Sequence, residues 1–192
     1  MIRLAEKQTL TVVKKVEFGV YLAESKEAAL EEKVLLPIKQ VPENTSVGDE
    51  IEVFIYKDSK DRLIATVKEP LLLKGQTAVL KVVQVNRVGA FLYWGLEKDL
   101  FLPFHEMTRK VEAGDEILVT LYIDKSSRLC ASMKKLYDLL SKDAPYKVGD
   151  IVNGRIYEFS DNFGTFLAVD DKYSAMIPRH EDCSKLRVGD VI

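Results

Sequence analysis

The stretch VGDEIEVFIYKDSKDRLIATVK, residues 47–68, returns 66 residues later as AGDEILVTLYIDKSSRLCASMK, residues 113–134, with eleven of twenty-two positions identical. A phrase repeated at this distance restricts the 192-residue chain to an array of like units, each the size of a small domain. Within each copy, IEVFIY and ILVTLY alternate with period two, DSKD and DKSS are polar turn sequences, and RLIATV and RLCASM return as strands. The repeated phrase therefore predicts a β-hairpin.

Upstream of each hairpin lies a second shared pattern, LTVVKKVEFGVYLA and TAVLKVVQVNRVGAFLYW, which reads as a long strand, a glycine turn and a short strand, followed by VLLP or LFLP. A third copy runs through VGDIVNGRIYEFSDNFGTFLAV and SAMIPRHE to LRVGDVI. Gly89 precedes Pro103 by 14 residues and Gly114 by 25, and Gly164 precedes Pro178 and Gly189 by the same intervals. Each complete unit thus holds five short strands, in the second unit near 77–86, 90–93, 100–102, 116–123 and 128–133. Five strands are too few for a sandwich and suit a small closed barrel.

The organisation expected is all-β, with barrels at 1–69 and 73–135 and a third at 145–192. KKLYDLLSKDAPYK places Leu136, Leu139 and Leu140 at helical spacing before Ala144-Pro145, which predicts a short linker helix over 136–144. Ile192 falls where the fourth strand of the third barrel begins, so that barrel is expected to be incomplete and the chain a fragment. An open barrel exposes sheet edges and apolar face, so 145–192 should be the least well-packed region unless a partner chain completes it; full burial of Phe159, Val169 and Ile177 together inside a closed barrel of this chain alone would refute that. ESKEAALEEK, in the first unit, reads as a solvated loop, and Glu31-Glu32 and Asp170-Asp171 as solvated charges.

No window offers the roughly 18 consecutive apolar residues of a membrane span. The opening MIRLAEKQTLTVVKKVEF lacks the unbroken apolar core of an export signal, so the chain reads as cytoplasmic and not membrane-bound. Its net charge of −2 gives no global basic footprint, and any nucleic-acid binding has to depend on local cations and stacking. Cys130 and Cys183 are far apart in unrelated contexts, which argues against a disulfide or a zinc site.

Catalysis has little to build on. His105 and His180 occupy equivalent positions in LPFHE and IPRHE, each before a glutamate, without the second ligand of an HExxH helix. They read as polar residues capping the turn after the third strand. No catalytic residue, metal, cofactor or small-molecule substrate is expected.

Binding is better supported. Around the glycine after each first strand stand Phe18 and Tyr21, Phe91 (with Val88 in the first position), and Phe163 and Phe166. An exposed flat ring is what an unstacked base needs; the bland alternative is that the rings fill the small core. Recurrence at the same turn favours exposure. Asp58 and Asp124 each precede an arginine, Arg62 or Arg128, by four residues across the hairpin turn, so that a carboxylate can orient a guanidinium for phosphate or base contact. A surface ion pair of little consequence is the alternative.

A Gly-Asp before a strand, the aromatic-glycine turn, the apolar third strand and the Asp-x-x-x-Arg hairpin together resemble the S1-type RNA-binding domain, an OB-fold barrel. The resemblance covers nearly the whole chain. In that family the RNA face comprises the two turn aromatics, a third-strand histidine, and the Asp and Arg of the last hairpin. By position this implies Phe18, Tyr21, Asp58 and Arg62 in the first unit, Phe91, Asp124 and Arg128 in the second, and Phe163 and Phe166 in the third. The histidine position holds Pro37, Pro103 and Pro178, which removes a ring and a donor. The LP ending of the third strand and the tandem barrels are similar to the conserved virulence factor B family, which implies an RNA-binding regulator with a C-terminal winged-helix domain beyond this sequence.

The expected function is therefore non-enzymatic binding of single-stranded RNA by tandem S1-type barrels, in post-transcriptional or virulence-gene regulation. Lysines such as Lys14 and Lys81 would assist the arginines. The alternative is a protein-interaction scaffold whose barrels have lost RNA affinity.

Overall fold

The computed structural model describes residues 1–30 and 32–192, so the charge expected at Glu31 lies outside the described residues. The first barrel comprises β1 (Lys7–Val16), β2 (Gly19–Ala23), β3 (Val34–Pro37), β4 (Glu50–Lys57) and β5 (Leu63–Thr66), closed in the order β1-β2-β3-β5-β4. The second comprises β6 (Thr77–Val85), β7 (Gly89–Tyr93), β8 (Leu100–Pro103), β9 (Glu116–Ile123) and β10 (Leu129–Ser132), closed in the same way. All neighbours run antiparallel except β3 with β5 and β8 with β10, the parallel contacts that shut each barrel. By contact the chain divides into two compact units, Met1–Lys74 with Gly95–Lys98 and Ile123–Leu129, and Gly75–Trp94 with Asp99–Tyr122 and Cys130–Ile192.

The long first strand closes each barrel because it serves two neighbours in turn. β1 pairs with β4 through Lys7–Thr11 and with β2 through Thr11–Val16, and its register slips by one residue between Val12 and Lys14. The same bulge lies between Val82 and Gln84 in β6. A bulge bends and twists a strand, which lets one strand pass from one wall of a small barrel to the next.

The Gly-Asp of the repeated phrase locks onto that bulge. Gly48 donates to the Val12 carbonyl at 2.8 Å, Val12 donates to the Asp49 carbonyl at 2.8 Å, and the Asp49 carboxylate accepts the Ser46 N–H at 2.7 Å. Gly114 and Asp115 repeat this on Val82, with the Glu112 N–H on the Asp115 carboxylate at 3.0 Å. Inside the first barrel, Leu10, Val12, Val20, Leu22, Val34, Leu36, Val53, Ile55 and Ala65 form one buried cluster. Each fully buried leucine or isoleucine of this set contributes about 1.5–3 kcal/mol.

The third copy is a three-stranded antiparallel sheet, β11 (Gly154–Ser160), β12 (Gly164–Val169) and β13 (Tyr173–Pro178), and not a closed barrel. It carries the same bulge, between Ile156 and Glu158, and the same lock: Gly189 donates to the Ile156 carbonyl at 2.7 Å and Ile156 to that of Asp190 at 2.9 Å. Gly154 and Ile192 then exchange two hydrogen bonds, at 2.8 and 3.0 Å, so residues 189–192 lie where β4 and β9 lie in the barrels. Val169 is buried, Ile177 half-buried and Phe159 45% exposed.

One expectation is corrected. The linker helix over 136–144 is a single 3-10 turn, Leu136–Asp138. Leu136 and Leu140 are buried against Leu118, Tyr157 and Ala168, but Leu139 stays exposed. The backbone at Ser141 is drawn into a parallel bridge with Tyr173, donating to Lys172 at 3.0 Å and accepting from Ser174 at 2.8 Å. An extended residue there ends any helix. The loop of the first unit carries its own 3-10 turn, Ala28–Leu30.

Candidate nucleic-acid interface

The turn glycines fix where the aromatics point. A Cβ on Gly19 would sit 2.2 Å from the Leu36 carbonyl oxygen, and one on Gly89 2.4 Å from that of Leu102; both have φ in the positive range, at +153° and +158°. Only glycine lets the neighbouring strand approach so closely. From there the period of two decides: in β2, Val20 and Leu22 are in the core and Tyr21 faces out; in β7, Ala90 and Leu92 are buried and Phe91 faces out. In β12 Phe166 takes the same position between Thr165 and Leu167. Phe166 also packs against the buried cluster of Leu118, Leu136, Leu140, Tyr157 and Ala168, so in the third unit the inner edge of the ring contributes to the core.

Phe18, 56% exposed, meets Tyr21 edge-on with ring centroids 6.4 Å apart. Phe163, 64% exposed, stands 6.4 Å from Phe166. In the second barrel Val88 leaves the first position without a ring, but Phe101 of β8 pairs directly with Phe91 across the strands, at 5.4 Å and 39°. Phe101 was not anticipated from the sequence. The signal was present in LFLP, where Leu100 and Leu102 enter the core and alternation turns Phe101 outward.

The residues across from these rings differ between units. Lys14 pairs with Tyr21, Gln84 with Phe91 and Glu158 with Phe166. Lys33 adds a second cation, its Nζ 5.5 Å from the Tyr21 ring centre. Lys81 lies across from Tyr93, itself 52% exposed. The residue across from the ring is therefore cationic in the first unit, neutral in the second and acidic in the third. The proline positions pair with the turn glycines: Gly19 with Pro37, Gly89 with Pro103, Gly164 with Pro178.

At the hairpin tips each aspartate does two things. Asp58 Oδ1 accepts the N–H of Lys60 at 2.8 Å and of Arg62 at 3.0 Å, closing the turn, while Oδ2 accepts Arg62 Nε at 2.9 Å. Asp124 does the same with Ser126 at 2.7 Å and Arg128 at 3.0 Å, and with Arg128 Nε at 3.2 Å. Partial burial works to raise Asp58, but the Arg62 N–H, the Arg62 guanidinium and the Lys60 N–H outweigh it and hold the carboxyl below its ordinary value. Asp124 is likewise lowered, burial being outweighed by the Arg128 and Ser126 N–H groups and the Arg128 charge. The side chains of Arg62 and Arg128 remain 70% and 53% exposed, oriented yet open to an anion.

His105 and His180 do not cap their turns. Their side chains are 74% and 79% exposed, each with Nε2 3.5 Å from the following glutamate. The turn after β3 is tied down instead by Gln40, whose Oε1 accepts the Thr66 hydroxyl and the Val67 N–H at 3.1 Å; Glu106 takes the equivalent place against Ser132. Cys130 is buried and Cys183 half-buried. Among the described residues no group of three or more His, Cys, Asp or Glu could hold a metal ion, and no helix is long and apolar enough to cross a membrane.

These barrels, with their glycine turns and Asp–Arg tips, agree with comparison to known families: the model described as S1 domain matches residues 6–68 and 74–134. The chain belongs to the S1 domain family. Among curated proteins this S1 chain is 27% identical to the uncharacterized protein YitL of Bacillus subtilis, over 97% of the chain and 63% of that protein. It is 25% identical to conserved virulence factor B of Staphylococcus epidermidis, over 76% of the chain and 51% of that protein. The chain thus spans between half and two thirds of the length of these relatives. Its fold matches, with a TM-score of 0.68 and 19% identity, the crystal structure of a multidomain protein with nucleic acid binding domains from Streptococcus pneumoniae, covering 98% of this chain and 67% of that one.

Proposed function

We propose that this S1-family chain binds single-stranded RNA without catalysing a reaction on it, in the cytoplasm, as part of a post-transcriptional or virulence-gene regulator that continues into a winged-helix domain. The observation that carries the reading is the outward pair of rings in each barrel, Phe18 with Tyr21 and Phe91 with Phe101. Bases stack on the outward rings with little regard to sequence, each contributing about 1–3 kcal/mol. Arg62 and Arg128, held in orientation by Asp58 and Asp124, reach phosphate, and Lys14 and Lys33 add charge at the first ring pair. Tandem sites of modest strength on one chain reinforce each other through effective concentration. Similarity to the conserved virulence factor B relatives supports the regulatory setting.

A second reading, a protein-interaction scaffold, is favoured by Pro37 and Pro103 at the histidine position and by Glu158 beside Phe166. Photo-crosslinking separates the two. A 12-nucleotide oligouridine carrying 4-thiouridine is expected to crosslink to peptides containing residues 18–21 and 91–101. Crosslinking no greater than to an unrelated protein of like charge would favour the scaffold.

A further inference from the structure

We propose that Tyr137, on the linker before the third sheet, completes a base-stacking platform with Phe166 and Phe163, with Lys142 as its phosphate contact; this rests on the reading of the chain as a binder of single-stranded RNA. Tyr137 is 43% exposed and meets Phe166 edge-on at 5.5 Å, and Phe166 in turn meets Phe163 at 6.4 Å. Three partly exposed rings therefore follow one another across the linker and the sheet. Beneath them Tyr157, only 3% exposed, stacks on Phe166 at 6.2 Å and 26°. Burial of Leu136 and Leu140 on either side of Tyr137 fixes the 3-10 turn, so the tyrosine is presented rather than mobile.

The third sheet needs this addition for a reason of charge. Its first strand places Glu158 across from Phe166, where the first barrel has Lys14 across from Tyr21. A phosphate is repelled there. The linker brings a cation instead: Lys142 Nζ lies 4.0 Å from the centre of the Tyr137 ring. Over residues 134–143 three lysines outnumber two aspartates. A stacked base contributes more than a solvent-exposed cation–π contact, so a base takes the tyrosine face and the displaced ammonium meets the adjoining phosphate.

The test uses the full chain, fluorescein-labelled oligouridine of 12 nucleotides, and the variants Tyr137→Ala and Tyr137→Trp. The one native tryptophan, Trp94, is 2% exposed and serves as a constant background. Tyr137→Ala is expected to weaken binding by about 5-fold or more, while Tyr137→Trp keeps the affinity and its indole is quenched by unlabelled oligouridine. An unquenched indole with unchanged affinity in Tyr137→Ala overturns the platform and leaves the RNA reading standing. A weakened Tyr137→Ala with an unquenched Tyr137→Trp also overturns it, since the residue then acts through the fold alone. A native chain that fails to bind oligouridine at tens of micromolar overturns both.

Discussion

Asp58 closes the β4–β5 turn through the backbone of Arg62, at 3.0 Å, and orients the guanidinium of the same residue, at 2.9 Å. One carboxylate performs both roles, through its two oxygens. Asp58→Asn is expected to cost about 1.5–3 kcal/mol, the range for hydrogen bonds to a charged group, and to weaken RNA binding through a disordered Arg62. Urea denaturation and RNA titration on the same variant check both effects.

The pH dependence follows from the direction of the shift. The Asp58 and Asp124 carboxyls titrate lower in the folded chain than in the unfolded one, where the value is about 3.9. Their contribution is fully present above that value and is lost as pH falls through the lower folded value. The stability difference between the native chain and Asp58→Asn, measured by urea at pH 7 and pH 3, should therefore shrink at pH 3.

Glycines of the repeat are expected to differ in cost. Gly114→Ala meets nothing within 4 Å and suffers only from φ near +95°, a penalty of about 1–2 kcal/mol. Gly89→Ala adds a Cβ 2.4 Å from the Leu102 carbonyl oxygen and 2.7 Å from the Phe101 ring, so it should cost more, about 3 kcal/mol or above, and displace Phe101. Comparative thermal denaturation of the two variants decides the order.

The acidic position of the third sheet should be open to gain of function. Glu158 is exposed and lies across from Phe166. Glu158→Lys would copy Lys14 of the first barrel, and is expected to raise RNA affinity and steepen its salt dependence by about 0.7 in the log–log slope, the increment for one single-strand phosphate contact. Titration at several salt concentrations measures the slope.

Much of this was legible in the residues. Period-two alternation, the glycine turns and the 14- and 25-residue spacings placed the strands of the barrels and of the three-stranded third sheet, because strands with one buried face leave that signature. The turn-closing work of Asp58 and Asp124 was not legible, since it depends on which backbone N–H groups the carboxylate reaches. Phe101 was hidden by reading LFLP only as apolar. Tyr137 was hidden by the helix expected at Leu136, Leu139 and Leu140: the pull of Tyr173 on Ser141, a contact distant in sequence, ended that helix and left Tyr137 beside Phe166.

The outward rings and the oriented arginines are proposed to act together in binding RNA. Fluorescence anisotropy of labelled oligouridine against the native chain and its Phe91→Ala/Arg128→Ala variant, at low and at physiological salt, decides whether they do. Binding with a clear salt slope is expected in the native chain, and in the variant a loss of about 5-fold or more and a shallower slope. Equal affinity and equal slope for the two proteins would show that these rings and arginines do not carry RNA binding.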